Sequence, residues 1–426
     1  MATADVVVIG GGVNGASTAF NLARLGAGKV VLVERGQLGS GASGKSGALV
    51  RMHYTNPYES KLAFESRKIF QNWSDEVGGD CGWQQPGFVE VVAPGYEDDL
   101  AKNVSDQQEI GINTSIISND DLQELFPEMY VEDIGAAAYE PESGWADPNA
   151  TTYAFAQAAI ALGAEIKTQC SVTSIVVQDG KVTGVQTTDG RIDTGTVVAA
   201  PGIGAGQLLD PLGLDLGLFP QRSKVALFRQ PIGFRGHQPV VIDAINDAWM
   251  RADLGGLTLI GAESGSLRGD ANDFDQTIDN AYIEVARNAL SNRFPIYRDA
   301  IMRGGWAGLY SMSPITGRLS ISPKQSTAST SWSATRAVPS RLPRRSGVAS
   351  PSGSLTANPR RLICLHSPSP GSVARTPGWR IRTTAGAAGL SRASRLTGEF
   401  ILDTTSFVPV PDSGARLVAR RRVWRR

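Results

Sequence analysis

Cysteine is scarce in this 426-residue chain: Cys81, Cys170 and Cys364 are the whole set, and no two of them form a CxxC pair. An odd, widely spaced trio excludes a disulfide framework and a zinc ribbon, and it fits a reducing, cytoplasmic setting. Histidine is as rare, with three residues, and His237 and His366 have no partners at ligand spacing, so no metal site is expected. No apolar run approaches the roughly 20 residues that span a bilayer, and Met1–Asp5 lacks a basic leader, so a soluble protein without a transmembrane segment is expected. At roughly 150 residues per domain, the length allows two or three domains and a large core.

Acid is absent from one long stretch. The chain as a whole balances 41 Lys+Arg against 41 Asp+Glu, but residues 1–314 hold 38 acids and 22 bases, while residues 315–426 hold 3 acids and 19 bases. No acidic residue lies between Asp299 and Glu399, and every base of the last 112 residues except Lys324 is arginine. That segment is rich in Ser and Pro and keeps neither a helical nor a strand period, so it reads as disordered or linker-like. Its charge would suit phosphate contacts, but it has no aromatic interleaving and no recognisable binding module, so no nucleic-acid partner is expected.

The strongest signal is at the start. Asp5–Ile9 is a β-branched run suited to a buried parallel strand, and Gly10-Gly-Gly12-Val-Asn-Gly15 follows it directly. Ala16–Leu25 has helical apolar spacing, Gly26 or Gly28 ends it, and Lys29–Val33 gives a second strand closed by Glu34. The order β-α-β within about thirty residues makes GxGxxG a dinucleotide fingerprint. Gly10 permits the tight turn, Gly12 admits a pyrophosphate, Gly15 allows close helix packing, and Glu34 is placed for a ribose diol. Ile9, Val13 and Asn14 flank that turn, and Arg35 follows the acid. A second Gly/Ser segment, Gly39–Arg51, follows; read alone it is as compatible with a mobile loop as with a cofactor contact.

The two segments in this order resemble the FAD-dependent D-amino-acid oxidase superfamily, particularly its glycine oxidase and sarcosine oxidase branch. The likeness continues through Gly87–Pro94, Leu122–Pro127, the Ala136–Pro148 run, similar to the family's G-x-x-x-x-P-x-x-G-x-x-D-P segment, a helix over Thr151–Leu162, a meander from Cys170 to Val185, Thr196–Gly202 and Gly304–Pro314. It covers about residues 3–314. The resemblance implies that Ala42, Ser43, Ser46, Gly47, Ala48 and Leu49 lie along the cofactor, that Val172 meets its adenine half, and that Ala200, Pro201 and Gly202 turn beneath it.

Oxidising an amine beside a carboxylate means moving a hydride to flavin N5 while a fixed cation holds the carboxylate, so an Arg or Lys near the flavin is needed rather than a Ser-His-Asp triad. Arg51 matches an arginine of the sarcosine-oxidase pattern R-x-x-Y, with Tyr54 at the tyrosine position and His53 between them. Tyr310 in the Gly304–Pro314 strand is a further candidate to face the flavin, although strand aromatics are more often core. Arg222, Met250 and Arg251 either roof the pocket or belong to an ordinary sheet face. Gly308 stands where some sarcosine oxidases carry a flavin-linked cysteine, so FAD is expected to be held without a covalent bond there.

After Pro314 the family pattern stops. Shifting the reading by one base permits an S-P-D-x-x-P-I run from Pro314 onward and a G-D-S-G-x-x-F-K-x-A-P run across Trp332–Arg345, so the tail reads as a frameshifted translation that would cost the cofactor domain its last strand. The expected architecture is α/β. A discontinuous Rossmann-like FAD domain takes residues 1–85, 145–215 and 305–314, and a substrate domain built on an antiparallel sheet takes 86–144 and 216–304. The expected function is oxidation of the C–N bond of a small amino acid or N-methyl amino acid such as sarcosine or glycine. Oxygen, a quinone or an electron-transfer protein would take the electrons, and the chain is a possible subunit of a larger oxidase. Two other classes stay open: a NAD(P)-linked dehydrogenase, and a non-catalytic FAD-binding protein or inactive truncated oxidase.

Overall fold

Four consecutive buried β-branched residues, Val6–Ile9, form the centre of a parallel sheet because both of its faces are covered. The computed structural model describes residues 2–215, 217–234, 238–262 and 273–312, together with four short strands beyond them, Ser320–Pro323, Ala374–Thr376, Trp379–Arg382 and Phe400–Leu402. The parallel sheet runs in the order Phe400–Leu402, Val197–Ala199, Val6–Ile9, Val30–Val33, Glu165–Lys167. The expected loss of the outermost strand is therefore corrected: Phe400–Leu402 pairs with Val197–Ala199. The two halves of the frameshift reading, at 315 and at 332–345, lie outside the described residues.

Two helices pack together on this sheet, Val13–Arg24 and Pro148–Ala161. The second begins three residues earlier than its apolar spacing predicts. Asp147 accepts the Ala150 N–H at 2.6 Å and Pro148 takes the first helical position, where a missing N–H costs nothing, so the D-P pair is a helix start.

The second sheet has eight strands: Met302–Met312, Phe219–Arg229, Leu257–Ala262, Ala248–Asp253, Val240–Asp243, Phe88–Val92, Ala136–Glu140 and Ser115–Ile117. It is mixed rather than antiparallel, because Val240–Asp243 runs parallel to Phe88–Val92. Those two strands are separated by more than a hundred residues, and such a connection can return in either direction, unlike a hairpin. Met302–Met312 is hydrogen-bonded to Phe219–Arg229 over nearly its whole length, so the boundary placed at 305 falls inside a strand of this second sheet. The helix Asn280–Arg293 covers one face of the sheet, with Tyr282, Ala286, Ala289 and Leu290 buried against it. The other face turns Phe88, Val240, Ile242 and Trp249 toward Leu49 and Trp145, which pair with each other in a separate two-stranded sheet.

Candidate active site

Gly10 is the first constraint on the site. It holds φ at +104°, and a β-carbon there would stand 2.2 Å from the Ala200 carbonyl oxygen. Gly15 is tighter still, with its β-carbon position 1.8 Å from the Gly10 oxygen, so the helix meets the strand at backbone contact. Between them Gly12 is extended and leads into Val13–Arg24, whose first turn carries no acid and whose Val13 N–H is capped by Ser43 Oγ at 3.0 Å. A helix N-terminus free of negative charge behind a side-chain-free loop is a cradle for a diphosphate. Glu34 Oε2 accepts the Gly11 N–H at 2.6 Å and Oε1 the Gly36 N–H at 2.7 Å, which fixes the carboxylate while leaving each oxygen a lone pair for a ribose hydroxyl.

From this cradle a cleft of about 190 Å³ opens along the glycine helix toward the second sheet. It is lined by ten of the residues singled out above: Val13, Asn14, Ala42, Ser43, Ser46, Ala48 and Leu49 on the cofactor side, with Arg51, Tyr54 and Tyr310 beyond them. Strand Met302–Met312 brings Tyr310 there across more than 250 residues. The Arg51 guanidinium lies 4.2 Å from the Tyr54 ring centroid and 5.7 Å from that of Phe88, so two π-faces hold the cation in place.

Other predicted residues fall elsewhere. Ile9 is core, and its carbonyl accepts the Ala200 N–H at 2.8 Å, so Ala200, Pro201 and Gly202 cross over Gly10. Gly47 sits beneath the Trp249 ring, where a β-carbon would meet ring carbon at 2.4 Å. Val172 packs against the apolar core around the parallel sheet and Arg35 is exposed; neither lines the cleft. His53 lies under the floor rather than in the cleft. Its ring is fully buried beside Phe88, Nε2 meets Asn103 Nδ2 at 2.9 Å and Nδ1 has no partner among the described residues. Burial, helped by the Arg51 charge, pushes its pKa down to about 3, so it is neutral at working pH. Of the roof candidates, Met250 is core and Arg222 pairs with Asp275 at the surface. Arg251 is buried and donates through Nε to the Gly47 carbonyl at 2.6 Å, tying the second sheet to the Gly/Ser segment.

Two residues escaped sequence reasoning. Lys45 lays its stem against Gly308, gives its carbonyl to Trp306 Nε1 at 2.8 Å and its ammonium to Gln276 at 2.7 Å, locking the Gly/Ser segment to the far strand. Glu140 is fully buried and accepts the Met52 N–H at 2.9 Å, directly beside Arg51. Neither has a local signal, since both contacts depend on long-range packing.

Compared with protein families, residues 5–340 match the one described as DAO, FAD dependent oxidoreductase. The chain belongs to this family. The match runs past 314, where the motifs stop. FAD is the cofactor of this family, and the cradle fits a dinucleotide of that kind; the family match, rather than the cradle, sets aside the NAD(P)-linked reading. The chain is 29% identical over 272 residues to mouse (Mus musculus) mitochondrial sarcosine dehydrogenase, covering 62% of this chain but only 30% of that protein. It is 26% identical to sarcosine oxidase subunit beta of an Arthrobacter species over 72% of this chain and 76% of that one. Among solved structures, glycine oxidase of Bacillus cereus superposes with a TM-score of 0.63 at 30% identity, over 73% of this chain and 83% of that one.

Proposed function

We propose that this protein oxidises the C–N bond of a small amino acid or N-methyl amino acid of the sarcosine or glycine kind. The observation that carries the reading is Arg51, a cation held against two aromatic rings in a cleft that Val13, Asn14 and Ser43 also line at the start of the glycine helix. The names of the relatives, sarcosine dehydrogenase, sarcosine oxidase and glycine oxidase, support the same substrate class. Bound FAD supplies a two-electron acceptor that takes hydride from the carbon attached to nitrogen. The chain's own residues do the rest. The Arg51 guanidinium presents two parallel N–H donors to the substrate carboxylate and so fixes the C–H bond in one direction. Its charge also lowers the pKa of the substrate ammonium, favouring the neutral amine whose lone pair must assist C–H cleavage. Tyr54, Tyr310 and Leu49 wall the cleft and limit water, and the imine product is hydrolysed after release.

Oxygen is the acceptor that the two oxidase names favour, with a quinone or a carrier protein as the other outcomes of the assay. The name of the Arthrobacter relative likewise supports a place as one subunit of a larger oxidase. We place the protein in the cytoplasm, a setting supported by two buried, unbridged cysteines, Cys81 and Cys170, and checked by cell fractionation. We also propose that the tail after about codon 315 is a frameshifted translation; family-like codons absent from the third frame of the source DNA would overturn this.

The test is an anaerobic flavin spectrum of the purified chain before and after sarcosine, glycine or proline. Bleaching by one of them supports the oxidoreductase, whereas retained flavin that no amine reduces supports the non-catalytic alternative. Arg51→Met is expected to raise KM for the reducing amine about 10- to 100-fold, the worth of a charge-assisted hydrogen-bonded pair.

A further inference from the structure

Beneath the floor of the cleft lies a buried carboxylate for which the proposed reaction gives no role. Glu140 ends the strand Ala136–Glu140, directly opposite Phe88, the ring on which Arg51 rests. Its side chain is fully buried. Oε2 accepts both the Met52 N–H, at 2.9 Å, and the Ser143 hydroxyl, at 2.6 Å, while Oε1 is enclosed and has no partner among the described residues. The peptide joining Arg51 to Met52 is therefore clamped to the sheet by an acid 88 residues away. A neutral acceptor would make the same clamp without the cost of burying a charge, so the presence of an acid asks for an explanation.

We propose that Glu140 is a positioning residue for Arg51, fixing the Arg51–Met52 peptide and, by gaining or losing a proton, setting the positive potential that Arg51 offers to a substrate carboxylate. The inference rests on the reading of Arg51 as the carboxylate holder. With a proton on its open Oε1, Glu140 is neutral and Arg51 faces the substrate with its full charge. Once ionised, Glu140 partly cancels that charge from below, and carboxylate binding weakens. The charged groups that act on it are Arg51, from the segment it clamps, and Arg67, from the helix Pro57–Gln71, while Ser143 of the following turn donates to it. Arg67 is itself paired with Glu142, and Glu90 stands opposite Ala138 on the neighbouring strand, on the same face as Glu140. From the helix Glu97–Ile110 come the neutral amides Asn103 and Gln107, which contact His53 and the Tyr54 carbonyl. Burial raises the Glu140 pKa to about 7, against the pull of the Ser143 and Met52 hydrogen bonds and the Arg51 and Arg67 charges. His53, at about 3, stays neutral across this window and does not titrate with it.

The experiment measures acetate binding to the full-length chain carrying FAD, by calorimetry between pH 6 and 8, where acetate stays ionised. Affinity is expected to fall on the order of 3- to 10-fold across this range, with a midpoint near 7. Glu140→Gln keeps an acceptor for the Met52 N–H and removes the titration, so its affinity should be flat with pH, at a melting temperature no lower than that of the wild type. Glu140→Ala should speed hydrogen exchange at the Met52 amide and weaken acetate binding at every pH. An inflection that survives in Glu140→Gln, or a flat wild-type profile, overturns the role of Glu140. Acetate binding that is unaffected by Arg51→Met overturns the reading of Arg51 itself, so the two failures are told apart.

Discussion

At Gly15 the chain passes so close to itself that a β-carbon would stand 1.8 Å from the Gly10 carbonyl oxygen. Gly15→Ala must push the helix off the strand, at a cost of about 1–3 kcal/mol, and with it the N–H groups that face a diphosphate. The expected outcome, read as flavin absorbance per mole of chain and as the urea midpoint, is loss of most bound FAD with a smaller loss of stability. Glu140 and His53 make opposite predictions about pH. The folded Glu140 holds a proton between its ordinary 4.5 and about 7 that the unfolded chain has released, so stability falls as pH rises through that window. Folded His53 refuses a proton between about 3 and 6.5 that the unfolded chain takes up, so stability falls as pH drops through that window. The slopes offset one another where the windows overlap. Urea unfolding at pH 4.5 and pH 8 should therefore show Glu140→Gln gaining, relative to wild type, about 3 kcal/mol at the higher pH.

Elements here are set by their ends. The glycine helix, the Asp147–Pro148 helix and the Asn56–Pro57 helix all start on signals visible in the sequence: a glycine, or an Asx side chain that accepts an N–H, followed by a proline at the first helical position. Their partners in space were not visible. The helix Asn280–Arg293 is tied to its sheet by Arg293, fully buried, which donates through Nε to Asp243 at 2.7 Å and through Nη1 to Asp133 at 2.9 Å as well as to the Tyr130 carbonyl. Removing such a partner strands two acids, one of them fully buried. Arg293→Met is expected to destabilise the chain by about 3–5 kcal/mol in chemical denaturation, far more than losing the surface pair Arg222–Asp275, worth about 1 kcal/mol at most.

For the whole molecule the charge division matters more than the total. An acidic body of 314 residues is joined to an arginine-rich tail, and a zero net charge conceals both. The tail contributes the strand Phe400–Leu402 to the edge of the cofactor sheet, and the family match extends to 340. If the tail is a shifted translation, restoring the frame near codon 315 should raise the flavin retained per mole of chain; equal retention by both forms would argue that this tail suffices. The chain spans only 30% of the mouse sarcosine dehydrogenase it resembles, so its activity is to be measured on this chain directly.

Sequence alone determined what depends on local physics. Four β-branched residues, three spaced glycines and a terminal acid leave little freedom for residues 5–34, because a buried parallel strand, a β-carbon-free turn and a helix start can be met in one order only. The order of the later motifs identified the family for the same reason. The tertiary structure decided what depends on residues brought together from far apart. It moved His53 from the cleft to beneath it, delivered Tyr310 to the cleft by way of the second sheet, and set Lys45 against Gly308. It also buried Glu140 under Arg51. Burial and long-range register set the charge state of such groups, and neither is written in the spacing of neighbouring residues.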